Sequence, residues 1–293
     1  MSSLQDMQRQ INTMQNMAQM TEALQTISAM KLQRARNRLD RVRPYTDNMQ
    51  EMMRDIAKRA GSGTPLLVGR EEVNSVAICT VTSDRGLAGA FNSDVLRRTM
   101  ALRQEQDADI VQVVTGRKAV EFFRFRRTSL EEAYTGFSDS PSYEKAQEIG
   151  RRLTRLFEDE EADEVYLVYN RFRSALQQEP IVVRLLPVAP EGIDEDEDEE
   201  GEEEGSGSPF EFIPEAEELL ERLVPKYVET VVFRALVESA AGEHGARMAA
   251  MQSASDAAEE MAEDLQMQMN KMRQAAITQE IIEIAAAAEA LGG

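Results

Sequence analysis

The chain has 293 residues, enough for one large domain or two ordinary ones, and its 33 basic against 53 acidic side chains give a formal charge of −20. That balance excludes general affinity for nucleic acid or anionic membranes, so an acidic partner must meet a local basic patch. A single cysteine, Cys79, and a single histidine, His244, exclude an intrachain disulfide and the usual structural zinc sets, while 16 methionines and no tryptophan suit long helices.

From Leu4 the apolar residues recur at Met7, Ile11, Met14, Met17, Met20, Leu24, Ile27 and Met30, steps of three and four that predict one helix stripe. Leu32, Ala35, Leu39, Val42, Met49, Met52 and Ile56 continue it to about residue 58, with a bend or register adjustment expected at Pro44. Such a helix is on the order of 80 Å long. The period then changes. Short β-branched runs at 76–81, 110–114, 165–169 and 181–186 alternate with helical stretches near 92–105, 117–126 and 143–160, which predicts a small, largely parallel α/β sheet. Residues 194–204 hold ten carboxylates and one glycine, a block that cannot bury itself and is expected to be a disordered loop. After Pro214 a second long helix is expected, its stripe running from Leu219 through Leu236, Met251, Leu265 and Ile277 to Ile284, weakened or bent at Pro225, Gly242 and Gly245. Ten alanines between Ala235 and Ala262 would let a neighbouring helix approach closely. Neither terminal helix can bury its stripe alone, so an antiparallel coiled coil is the simplest solution.

The expected fold is therefore an antiparallel coiled coil of long N- and C-terminal helices plus a small Rossmann-like α/β domain. The corresponding division is 1–60, 70–190, an acidic insertion at 191–209, and 210–293. No run of about 18 apolar residues occurs, and the N-terminal residues lack a signal peptide's apolar stretch. The expectation is a cytosolic protein, or one docked on a membrane through other proteins, without direct membrane insertion.

The loop at 82–92 follows a strand and precedes a helix, a place where backbone amides can cradle phosphate. Its Gly86 and Gly89 fit neither GxGxxG nor a lysine-bearing phosphate loop. It reads either as a weak nucleotide site or as a structural turn in which Asp84 and Arg85 bond locally or touch a partner. Cys79, inside an apolar strand, reads as a buried thiol, and His244 as a packing or surface residue. No acidic pair stands out as an acid/base couple, and no cofactor or metal is expected. The basic cluster of Lys31, Arg34, Arg36, Arg38, Arg41 and Arg43 is opposed only by Asp40, a local charge of +5 in a chain of −20. It spans more than three helical turns and so surrounds the helix. An acidic protein partner, internal neutralisation by the C-terminal helix, and nucleic acid are its three readings.

Three stretches, residues 20–31, 83–92 and 270–281, together resemble the gamma chains of rotary F-type ATP synthases, and the similarity covers the chain in order except for the acidic insertion. The lone Cys79 has no partner for the regulatory pair of the chloroplast type, so the resemblance is to bacterial members. It implies a central shaft with no active site of its own. The coiled coil would stand inside the ring of alpha and beta chains, and the α/β domain would join the epsilon chain and the membrane c-ring. Carried over by position, it implies that Lys31, Arg34 and Arg36 face acidic loops of the beta chains and that Arg273, Gln274, Thr278 and Glu280 touch the ring. The end of the helix, 281–291, would turn in an apolar collar or else is simply an alanine-rich helix end. An α/β nucleotide-binding enzyme oligomerised by its terminal helices and a coiled-coil scaffold are the competing readings.

Overall fold

A computed structural model describes residues 2–59, 69–70, 72–188 and 216–292. The elements run α1 (Ser2–Arg59), β1 (Ser75–Val81), α2 (Phe91–Glu105), β2 (Asp109–Thr115), α3 (Arg117–Phe125), β3 (Glu132–Tyr134), α4 (Tyr143–Glu158), β4 (Glu164–Phe172), β5 (Gln178–Leu186) and α5 (Ala216–Gly292). The acidic block at 194–204 lies outside the described residues. The chain divides into two compact units: Met1–Ser28 with Arg247–Gly293, and Ala29–Ala246.

In the first unit the ends of α1 and α5 pair antiparallel. Ser255 Oγ donates to the Ala18 carbonyl oxygen at 3.2 Å, and the Gln25 side-chain amide donates to Gln252. The buried face is narrower than the sequence stripe. Ile11, Ala18, Thr21 and Ser28 are buried on α1, whereas Met17, Met20, Ile27 and Met30 are exposed. Within this unit residues 4, 7, 11, 14, 18, 21, 24, 25 and 28 of α1 are the described positions that lose solvent, and all but 24 fall on one seven-residue repeat. Counting steps of three and four without holding the seven-residue period overcounted the seam. On α5 the matching positions are Met251, Ser255, Ala258 and Ala262. Small residues dominate both sides, so the backbones approach closely where side chains offer little area.

In the second unit the sheet order is β3-β2-β1-β4-β5, with β1 to β4 parallel and β5 antiparallel to β4. The three-residue β3 escaped the sequence reading because it holds Glu132 and too few residues to show alternation. One face packs against α2 through Val76, Ile78, Val95, Leu102 and Val168. The other receives α4, the Met49–Met53 stretch of α1, and Val224 through Leu236 of α5 in the largest apolar cluster. Cys79 is fully buried there, as its strand context predicted.

The two helices expected to bend run through their breakers. α1 contains Pro44, and α5 continues from Ala216 to Gly292 through Pro225, Gly242 and Gly245. At these two glycines α5 packs closely against other elements. A Cβ on Gly245 would lie 2.8 Å from the Ala175 carbonyl oxygen in the β4–β5 turn, and one on Gly242 would lie 3.0 Å from the Phe91 ring. Tertiary contact on this face outweighs the intrinsic cost of about 1 kcal/mol per helical glycine.

Gly116 has φ +87° and an added Cβ there would overlap the Thr82 carbonyl, whereas Gly136, at φ +90°, has nothing within 4 Å. Gly116→Ala should cost more than about 2 kcal/mol, through strain plus backbone overlap, and Gly136→Ala about 1–2 kcal/mol through strain alone. Urea unfolding of the full chain measures both, and equal costs would remove the overlap from the account.

Candidate functional site

The loop after β1 is closed by its own side chains. The Asp84 carboxylate accepts from the backbone N–H of Arg117 at 3.1 Å, of Gly136 at 2.8 Å and of Ser138 at 3.0 Å. Thr82 Oγ1 accepts from the Ala119 N–H at 2.9 Å, and Asn92 Oδ1 accepts from the Ser83 N–H at 2.9 Å. Burial by itself would raise the Asp84 carboxyl, but the three amide bonds outweigh it and hold the group below the usual carboxylate range. The Arg117 amide at the start of α3 is thus given to the Asp84 carboxylate, and the Lys118 and Ala119 amides to the Ser83 carbonyl and the Thr82 hydroxyl. The crevice at the carboxyl ends of β1 and β2 is likewise filled, by Phe137, Ser138, Pro141 and the Leu236 and Ser239 side of α5. Of the two readings of this loop, the arrangement supports the structural turn. Arg85 is exposed at its tip.

The basic cluster does not surround α1 evenly. Lys31, Arg34 and Arg38, spaced three and four residues apart, share one face and line a cleft of about 230 Å³ with Asp139, Ser140 and His244. Arg36, Arg41 and Arg43 are exposed elsewhere on the helix. Lys31 Nζ donates to both Asp139 oxygens, at 2.8 and 2.6 Å. His244, buried on α5, places Nε2 3.4 Å from Asp139 Oδ1. Burial pushes the Asp139 carboxyl up, yet the Lys31 hydrogen bond and the charges of His244, Lys31 and Arg85 prevail and hold it low. Lys31 is therefore neutralised by the turn before α4 and not by α5. Arg38 stacks over the Phe233 ring, 5.4 Å from its centroid.

Sequence reasoning missed the buried carboxylates of α5. Glu229 accepts from Tyr143 Oη at 3.1 Å, Gln147 Nε2 at 3.1 Å, Arg151 Nε at 3.2 Å and Lys226 Nζ at 2.8 Å. Burial would raise its carboxyl, but the bonds from Lys226, Gln147 and Tyr143 hold it low. Glu238 accepts from Arg234 Nε at 3.0 Å, and Arg234 reaches Asp47 of α1 at 3.1 Å. A single carboxylate within the apolar run 227–232 was the available signal for Glu229. These bonds tie α4, α5 and α1 into one framework.

Arg273, Gln274, Thr278 and Glu280 belong to the other compact unit and are all exposed. Every described side chain from 271 to 287 is exposed, including Ile277, Ile281, Ile282 and Ile284. The Ala18–Ser255 pairing places the start of α1 near residue 270, so about twenty residues of α5, roughly 30 Å, continue beyond it. An apolar helix end without a covering helix is a surface suited to a partner.

The family model described as ATP synthase matches residues 3–291. The chain is 59% identical over 291 residues to the ATP synthase gamma chain of Rubrobacter xylanophilus, covering 99% of both proteins. It is 40% identical to the gamma chain of Desulfitobacterium hafniense, over 99% of this chain and all of that one. The chain belongs to the ATP synthase gamma-chain family. Among solved structures, chains of the Euglena gracilis mitochondrial ATP synthase share its fold. One, in a rotor structure, aligns with a TM-score of 0.68 at 18% identity over 94% of this chain and 99% of that one. Another, in a structure of the OSCP/F1/c-ring part, reaches 0.69 at 16% identity over 99% and 95%. As expected of a gamma chain, the buried groups described above hold elements together. No described helix is long and apolar enough to cross a membrane.

Two outcomes follow from the buried groups. The Cys79 thiol is pushed up to about 12 by burial, so thiol reagents should label it only after unfolding. Labelling of the native chain at the rate of an exposed cysteine would contradict its place in the core. Asp163, held by Arg70 and the amides of Asn74 and Ser75, and Glu229 both titrate lower folded than unfolded, although burial opposes the shift in each. Their stabilisation is complete above the ordinary carboxylate range, near pH 4.5, and is lost as pH falls through their depressed folded values. Urea midpoints measured from pH 7 to pH 3 should decline in the acid arm, and Glu229→Gln should flatten part of that decline while lowering the midpoint at pH 7.

Proposed function

We propose that this chain is the central shaft of a bacterial F-type ATP synthase, a non-catalytic subunit that couples ion flow through the membrane c-ring to ATP synthesis and hydrolysis at the beta chains. Full-length membership in the gamma-chain family carries the reading. The four-part division read from the sequence suits it. The helices of 1–60 and 210–293 form the rod, 70–190 is the foot that meets the epsilon chain and the c-ring, and 191–209 is an insertion. The complex sits on the cytoplasmic face of the cell membrane, and the chain reaches the membrane through its partners.

A single rod inside a ring of three alpha and three beta chains cannot meet the three beta chains identically. Each contact favours a different conformation of its nucleotide site, and turning the rod permutes those preferences. Arg34 and Arg36 meet acidic loops of the beta chains in this reading, which their exposure on α1 in a chain of −20 supports. Lys31 takes part through the same face, with Asp139 as its resting partner. Arg85 belongs to the same contact surface. Arg273, Gln274, Thr278 and Glu280 offer polar contacts to the ring, and the isoleucines beyond them form the apolar end of the axle.

Replacing Arg34 and Arg36 with Gln should leave alpha, beta and epsilon chains co-purifying with the chain, while coupled ATP synthesis in reconstituted enzyme falls by about threefold or more and loses part of its salt dependence. Unchanged synthesis with unchanged salt dependence would remove these two residues from the torque contact. Failure of the wild-type chain to assemble with those partners would overturn the shaft itself.

A further inference from the structure

The face that presents Lys31, Arg34 and Arg38 is concave. The cleft of about 230 Å³ there exceeds the volume of one tetrahedral oxyanion, and Ala35 and Ala240 leave it open where larger side chains would close it. Its charges are unequally satisfied. Asp139 is held by Lys31 and His244, which accounts for the one carboxylate in the lining. Arg34 makes no ion pair or hydrogen bond among the described residues, and Arg38 makes there only its stacking contact with Phe233. Both guanidinium groups therefore retain their forks of N–H donors. They stand four residues apart on one helix face, where like charges repel and an anion between them removes the repulsion. Arg38 is half-buried and fixed by the ring beneath it, so little freedom remains to be lost on binding. Ser140 adds a hydroxyl at the rim.

We infer that this cleft is a binding site for a phosphate-type dianion. Arg34 and Arg38 donate to its oxygens, Ser140 supplies a further donor, and the Lys31–Asp139–His244 group forms the wall. Three cations against one carboxylate leave the lining two charges positive before His244 is counted, which matches a hydrogen phosphate or a terminal phosphate group in sign and size. The site is a property of the unit Ala29–Ala246 in the free chain, and in an assembled complex the beta-chain loops proposed to meet Arg34 compete with the anion for it.

The full chain, titrated at fixed ionic strength with inorganic phosphate and in parallel with ATP while calorimetry records heat, should show saturable binding of one equivalent. A tighter ATP isotherm assigns the cleft to nucleotide phosphates, and an equal or tighter phosphate isotherm assigns it to the free ion; both support the site. Arg34→Gln, at an exposed position outside the core, should weaken binding about tenfold. The double change Arg41→Gln with Arg43→Gln removes two charges from the same helix outside the cleft and should leave affinity within about twofold. Absence of saturable binding to either anion overturns the site. So does equal weakening by the outer pair, which would reduce the effect to the general field of the cluster.

Discussion

Each of the two long helices carries a seam that it cannot bury by itself, and the structure depends on that constraint. In the first unit the seam of α1 repeats every seven residues from Leu4 to Ser28, so it stays on one line along the helix and needs a partner along that stretch. α5 supplies the partner from the opposite end of the chain. The residues on the seam include Ala18, Thr21, Ser28, Ser255 and Ala258, which contribute little hydrophobic area each. What they contribute is close and regular approach, a property suited to a stiff rod more than to a deep core.

Within the second unit α5 does a different task. There it is buried nearly all round, with glycines where the β4–β5 turn and Phe91 press against it and carboxylates where α4 and β4 can donate to them. Glu229 and Glu238 are charged groups in a setting where an unpaired charge is costly, and each is accordingly surrounded by donors from neighbouring elements. Such groups specify one orientation of the helix against the domain, since a rotation or slip would leave them unsatisfied.

The α/β domain is doubly wound, and the loop after β1 is closed by its own side chains. Asp84 accepts from the Arg117, Gly136 and Ser138 amides, and Leu236 and Ser239 of α5 line the small crevice at the carboxyl ends of β1 and β2. A fold of this kind does not fix a function, which is read from the side chains placed on it. Of the basic cluster on α1, Lys31, Arg34 and Arg38 lie on the side of the domain turn that carries Asp139.

Much was legible in the sequence because it is local. The 3.6-residue period marked both long helices, the β-branched runs marked four of five strands, the buried thiol followed from its strand, and three long matching stretches identified the family. Composition also isolated the basic cluster against the chain's overall sign. Other features are relations between distant residues, and the tertiary structure alone decided them. Which methionines of α1 lie on the seam depends on the partner helix; whether Gly242 and Gly245 bend α5 or let it pack depends on Ala175 and Phe91; and which cations are neutralised depends on Asp139, more than a hundred residues from Lys31. Periodicity records how a segment prefers to fold, but burial and pairing belong to two segments at once, and one segment's sequence holds only half of each.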